Sequence, residues 1–211
     1  MILFKNNYHT FGDSHSQSFP FDVDNIHWIG PVLCYSFGKE NLKRCDISKF
    51  NVKDNDTVIF CFGEIDCRCH IHKHISENNT YIDIINNLVK NYVKAIQINI
   101  ENFDKKLRDI CIFNIPPPPF EEKSKNSEYP FIGSPYDRKK YVLYFNKCLK
   151  KKCIENNWVF FDIYKKCINK NGFLDKNIMC PNGIHIDNHK LFIDFLVKHE
   201  VSKKQPEIII Q

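Results

Sequence analysis

No stretch of this chain is long and apolar enough to cross a bilayer, which takes roughly 20 predominantly apolar residues. No secretory leader is expected either, since the opening MILFKNNYHTFGDS reaches Lys5 before an apolar stretch can form. The expectation is a protein kept in the cytoplasm, with no membrane partner. Dense basic patches are also lacking. The formal net charge is +5, and the lysines are interleaved with acids and asparagines, with short runs only at 150–152 and 203–204. Such runs read as solvated faces, so no nucleic-acid partner is expected. No internal repeat or clear boundary divides the 211 residues. That length suits one domain with a sizeable core, here taken as residues 1–203 with a short tail at 204–211. Ten cysteines is a high count, but in a reducing compartment they read as small buried apolar side chains rather than disulfides.

What is present is an alternation of strand-like and helix-like segments, which argues for an α/β fold around a largely parallel sheet. Strands are expected at residues 8–11, 25–29, 57–62 (TVIFCF), 109–115 (DICIFNI) and 158–163 (WVFFDI). Apolar residues at Ile85, Leu88, Val89, Tyr92, Val93 and Ile96 repeat at helical spacing. Thr80 followed by Asp83 reads as the start signal of that helix. Further helices are expected over 137–156 and from about Asn188. Pro116–Pro119 can continue neither a strand ladder nor a helix. They open an irregular stretch to about Pro135, expected as a surface loop, either a stiff connector or a wall of a substrate cleft.

Two short segments carry chemistry. Gly12-Asp13-Ser14-His15-Ser16 follows the first strand directly. Gly12 permits a tight turn, Asp13 can anchor it by accepting from nearby N–H groups, and Ser14 is left at the carboxyl edge of the sheet. A serine hydroxyl needs a base to become a nucleophile. His185, in Asn182-Gly183-Ile184-His185 just before the last helix, is placed to return to that edge. The segment is not the G-x-S-x-G elbow of another hydrolase class.

With GDSHS at 12–16, GEID at 63–66 after TVIFCF, and NGIH at 182–185, the chain resembles the SGNH/GDSL hydrolases. The resemblance implies a flavodoxin-like three-layer α/β/α sandwich. It also implies a serine esterase or acyltransferase without cofactor or metal, acting on a small-molecule or glycan ester. Ser14 would be the nucleophile and His185 the general base and then acid. The oxyanion would be held by the serine N–H, a glycine N–H and an asparagine side chain. Gly38 is the candidate glycine, with Gly30 as alternative, although Gly38 also reads as a helix C-cap. Two positions depart from the pattern. Ile65 stands where the oxyanion asparagine is usual, and loss of one such donor typically costs roughly 10²–10³ in rate. Arg68 is the candidate substitute, or else it pairs with Glu64 or Asp66. Asn182 stands in place of the triad aspartate. It can orient the imidazole without charge, with Asp187, Asp175 or a backbone carbonyl as other orienting groups. Glu64, Asp66 and His70 complete the candidate substrate-facing set. Cys67, Cys69, His70, His72 and His74 are close in sequence, but C-x-C spacing without a second pair is a poor zinc pattern.

Overall fold

The computed structural model describes residues 7–122, 128–181 and 183–204. Five parallel strands, β1 (Tyr8–Gly12), β2 (Ile26–Trp28), β3 (Thr57–Cys61), β4 (Asp109–Phe113) and β5 (Val159–Phe161), lie in the order β2-β1-β3-β4-β5. The helices are α1 (Cys34–Glu40), α2 (Ile71–Lys73, continuing a π-helical turn over Asp66–His70), α3 (Tyr81–Asn102), α4 (Pro135–Glu155) and α5 (His189–Lys204). In this strand order the connections switch sides between β1 and β3, β2 being added to one side of β1 and β3 to the other. Ligands of open α/β sheets bind beyond the carboxyl ends of the strands at that reversal of order. Both sequence blocks next to the reversal, 12–16 and 63–66, lie there.

Alternation along the strands makes three layers. Phe11, Val58, Phe60 and Ile112 face one core, which α1, α3 and α4 complete with Phe37, Tyr92, Ile96 and Phe145. Ile59, Cys61, Cys111, Phe113 and Phe161 face the other, closed by Phe192 and Leu196 of α5 and by Phe19. Each fully buried phenylalanine contributes about 2–3 kcal/mol of burial free energy. The chain thus forms the flavodoxin-like α/β/α sandwich with an all-parallel sheet. Among the described residues, no helix is long and apolar enough to cross a membrane.

Local signals set two helix starts. Thr80 and Asp83 form a reciprocal capping box at α3. Ser134 and Asp137 do the same at α4, with Pro135 in the first turn. The strands end earlier than the apolar runs suggest. Beyond Phe113, side chains replace the ladder: Ile163 N–H donates to Asn114 Oδ1 at 2.8 Å and Ile115 N–H to Asn146 Oδ1 at 2.8 Å. Pro116–Pro119 are not a surface stretch. All four are buried, because they pack beneath the carboxyl edge beside Glu64 and Arg68. All ten cysteines are free thiols, buried except for half-buried Cys148 and Cys180. Of the expected tail, all but Lys204 lies outside the described residues.

Candidate active site

Strand β1 ends at Gly12, where a Cβ would meet the Cys61 carbonyl oxygen at 2.0 Å. Only glycine lets the chain pass so close to β3. Asp13 N–H then donates to that carbonyl at 3.1 Å. The Asp13 carboxylate caps the 3-10 helix Ser14–Ser18, accepting from His15 N–H at 2.9 Å. Ser16 Oγ donates to the Asp13 carbonyl at 2.8 Å and tightens the turn. Ser14 is thus the first residue of a rigid helical turn, at the end where backbone N–H groups point outward.

The other partner comes from the far end of the sequence. A bridge between Met179 and Ile186 closes a tight loop before α5. Inside it, Cys180 N–H donates to the His185 carbonyl at 3.0 Å, and His185 N–H donates to Cys180 Sγ at 3.2 Å. This loop sets His185 Nε2 2.7 Å from Ser14 Oγ across 171 positions. Burial lowers the His185 pKa from its ordinary value to about 3, with His15 and Arg68 adding to the effect and Asp13 opposing it. The imidazole is therefore neutral, the form that accepts a proton. Asn182, the residue in the triad-aspartate position, lies outside the described residues. The carboxylate of Asp175 is spent on capping the short helix Lys176–Ile178, and Asp187 is exposed.

The residues after β3 divide into separate roles. Ile65 is buried, 3% exposed, and offers no polar group. Glu64 and Arg68 are both buried and form an ion pair, Oε1 to Nε, at 3.0 Å. Arg68 Nη1 also donates to the Tyr129 carbonyl at 2.8 Å, and its guanidinium lies 5.5 Å from the centre of the Phe131 ring. Arg68 thus holds residues 129–132 against the site.

Three expected positions need correction. Asp66 does not face substrate. It is fully buried and accepts from Cys34 N–H at 2.6 Å and Tyr35 N–H at 3.1 Å, so it caps α1. Burial raises its pKa to about 7 against the pull of those N–H groups. Gly38 is not an oxyanion donor or a C-cap. It sits inside α1, where a Cβ would meet Asn91 Cβ of α3 at 2.9 Å, so it serves close helix packing. Gly30, the alternative, follows β2 at the carboxyl edge with φ +105°. No hydrogen bond among the described residues engages the N–H of Gly30 or Ser14. His70 belongs to a different cleft of about 290 Å³, lined by Tyr35, His74, Asn79, Asn87 and Leu88 among others, and by neither Ser14 nor His185. Its ring lies 4.9 Å from that of Tyr35 and 4.4 Å from that of His74. Burial lowers its pKa to about 4, with His74 and Lys73 adding to the effect.

The histidines and cysteines of 67–74 diverge. Cys67 and Cys69 are buried, Cys69 Sγ donates to the Ile65 carbonyl, and His72 Nδ1 pairs with Tyr141 OH at 2.9 Å. Among the described residues, no His, Cys, Asp and Glu group is arranged to hold a metal ion. One residue in contact with the pair went unnoticed in the sequence: His15, whose ring lies 4.7 Å from that of His185. The signal was a second ionisable residue inside the GDSHS block.

No family model and no curated protein matches this sequence. Solved structures do match. A protein from Streptococcus pneumonia named for platelet activating factor aligns over 94% of this chain and 86% of its own, with TM-score 0.65 and 16% identity. A GDSL-like lipase from Bacteroides thetaiotaomicron aligns over 94% and 89%, with TM-score 0.55 and 12% identity. A member of the lipolytic G-D-S-L family from Veillonella parvula aligns over 94% and 98%, with TM-score 0.54 and 14% identity. The chain has the fold of these SGNH/GDSL hydrolases.

Proposed function

From that fold as premise, we propose that the chain is a serine ester hydrolase, or an O-acyltransferase using the same serine chemistry. Its substrate is a small O-acylated molecule such as an acylated carbohydrate. The observation that carries this reading is the 2.7 Å contact between Ser14 Oγ and His185 Nε2 at the reversal point of the sheet. Ser14 Oγ attacks the acyl carbon while His185 Nε2 takes the hydroxyl proton. The oxyanion is received by the N–H of Ser14 and, across the edge, the N–H of Gly30. His185 then returns the proton to the leaving alkoxide. A water, or an acceptor hydroxyl in the transfer case, attacks the acyl-enzyme with His185 as base. Asp13 anchors the turn, and the Glu64–Arg68 pair walls the site. The Tyr35–His70 cleft supports the carbohydrate assignment. It joins the Tyr35 and His70 rings to the side-chain amides of Asn79, in the turn before α3, and Asn87, on α3, the combination a sugar ring uses.

A second reading, an inactive binding protein on this fold, draws on Ile65 and on an Arg68 already tied to Glu64 and Tyr129. Hydrolysis of p-nitrophenyl acetate separates the two. The proposed enzyme turns over this ester, and Ser14→Ala does not; a wild-type rate equal to that of Ser14→Ala supports the inactive reading.

A further inference from the structure

His15 has no part in the chemistry above, yet it is held more tightly than any surface histidine. Its side chain is 4% exposed. Nδ1 lies 3.0 Å from Asp13 Oδ1, and Nε2 lies 3.4 Å from the carbonyl oxygen of Ile184, the residue before His185. An ionised carboxylate and a carbonyl only accept hydrogen bonds. Each ring nitrogen must therefore bring its own proton, and the form of His15 that satisfies both contacts is the imidazolium. The other Asp13 oxygen, Oδ2, is buried with no hydrogen-bond partner, so the carboxylate charge is directed at His15.

We propose that His15 is a positioning residue of the site: as an imidazolium held by Asp13, it ties down the loop carrying His185 through the Ile184 carbonyl and keeps His185 unprotonated beside Ser14. The inference rests on the ester-hydrolase reading only for its catalytic meaning; the charge relation holds with or without turnover. Ser14, His15 and Asp13 reach His185 from the turn after β1, Arg68 from the π-helical turn, and Cys180 from its own loop, while Glu64 acts on His15. The cations His15 and Arg68 oppose a proton on His185, and Asp13 favours one. Burial works against the charge on His15, but Asp13, with Glu64 and the Ile184 carbonyl, outweighs it and the pKa is raised. Replacing His15 by a neutral residue removes a cation from His185 and leaves the Asp13 charge uncompensated. Both changes push the His185 pKa upward.

The test is an NMR titration of the His185 ring nitrogens in wild type, His15→Gln and His15→Leu, with p-nitrophenyl acetate kinetics in parallel. The His185 pKa is expected to rise by about one unit or more in both variants, as loss of a like charge at this distance implies. Glutamine can still donate to the Ile184 carbonyl, so its kcat/KM above pH 8 should stay near wild type, while leucine should lose about tenfold or more. A folded His15→Gln whose His185 titrates within about 0.3 units of wild type overturns the inference, being well short of a charge effect at this range. Glutamine decides the question if the leucine variant fails to fold. Turnover without a shift removes this inference and leaves the hydrolase reading standing; a shift without turnover does the reverse.

Discussion

The two ends of the sheet treat their carboxylates differently. At the amino end, charges meet opposite charges and tie α5 to the sheet. Asp109 at the start of β4 pairs with Lys203 and lies 3.7 Å from His199 Nε2. Arg108 pairs with Glu200 at 3.1 Å, covers the Tyr8 ring, and Tyr8 OH donates to the same glutamate. At the carboxyl end, Asp13 Oδ2 and Glu64 Oε2 are buried without a hydrogen-bond partner, and a neutral imidazole sits beside a cationic one. Unpaired carboxylate oxygens cost stability. Among the described residues, buried polar atoms without a hydrogen bond occur at both ends, Arg108 Nη2 and His199 Nε2 included, but the carboxylate oxygens among them lie only at the carboxyl end, beside the Ser14–His185 pair.

That contrast breaks most visibly if a change at one end has the effect assigned to the other. Ser14→Ala should cost about 10⁴-fold or more in p-nitrophenyl acetate turnover, with a melting temperature no lower than wild type. Asp109→Asn should leave kcat/KM unchanged while stability falls by about 1–2 kcal/mol, or roughly 2–8 °C in Tm. Calorimetry and steady-state rates on the same preparations check both.

The ends should also differ in pH dependence. Burial works against ionised Asp109, but His199 and Lys203 outweigh it and hold its pKa at about 2, below the ordinary 3.9 or so. The stability that wild type holds over Asp109→Asn should therefore be fully present above about pH 4 and vanish as pH falls toward 2. His185, held at about 3, should keep kcat/KM level from pH 8 down to about 5, where an ordinary histidine of pKa near 6.5 would already have lost activity. A half-maximal rate near pH 6.5 would count against a buried, cation-flanked base.

Asp66 should show a stability effect of the opposite sign. Its pKa is raised to about 7, so folding disfavours its ionised form. Asp66→Asn should gain stability relative to wild type as pH rises from about 4 through 7, and hold a constant difference above that. Denaturant midpoints at three pH values read this directly, and a flat difference would mean that the α1 cap tolerates the charge.

Much of this design was legible in the sequence where the signals are local. TVIFCF is a buried strand because it is apolar on both faces, and Thr80 with Asp83 starts α3 because both caps lie within one turn. Ser14 and His185 were legible as a pair through the blocks that contain them. What escaped depended on distant partners. CYSFGKE carries no cap of its own, since Leu33 occupies the N-cap position and the capping carboxylate is Asp66, from beyond β3. Gly38 looked like an oxyanion or cap glycine because its packing partner, Asn91, lies on another helix. Pro116–Pro119 looked like a surface connector because nothing in four prolines tells which side the core is on. His15 looked like a bystander because Ile184, its second partner, is 169 positions away.

The central claim is that Ser14 is a nucleophile because His185 is its base, and covalent trapping tests it most directly. Incubation with a fluorophosphonate probe followed by peptide mapping should place one adduct on Ser14 in wild type and none in His185→Ala. An unmodified wild-type chain, or labelling that persists when the imidazole is removed, would contradict it.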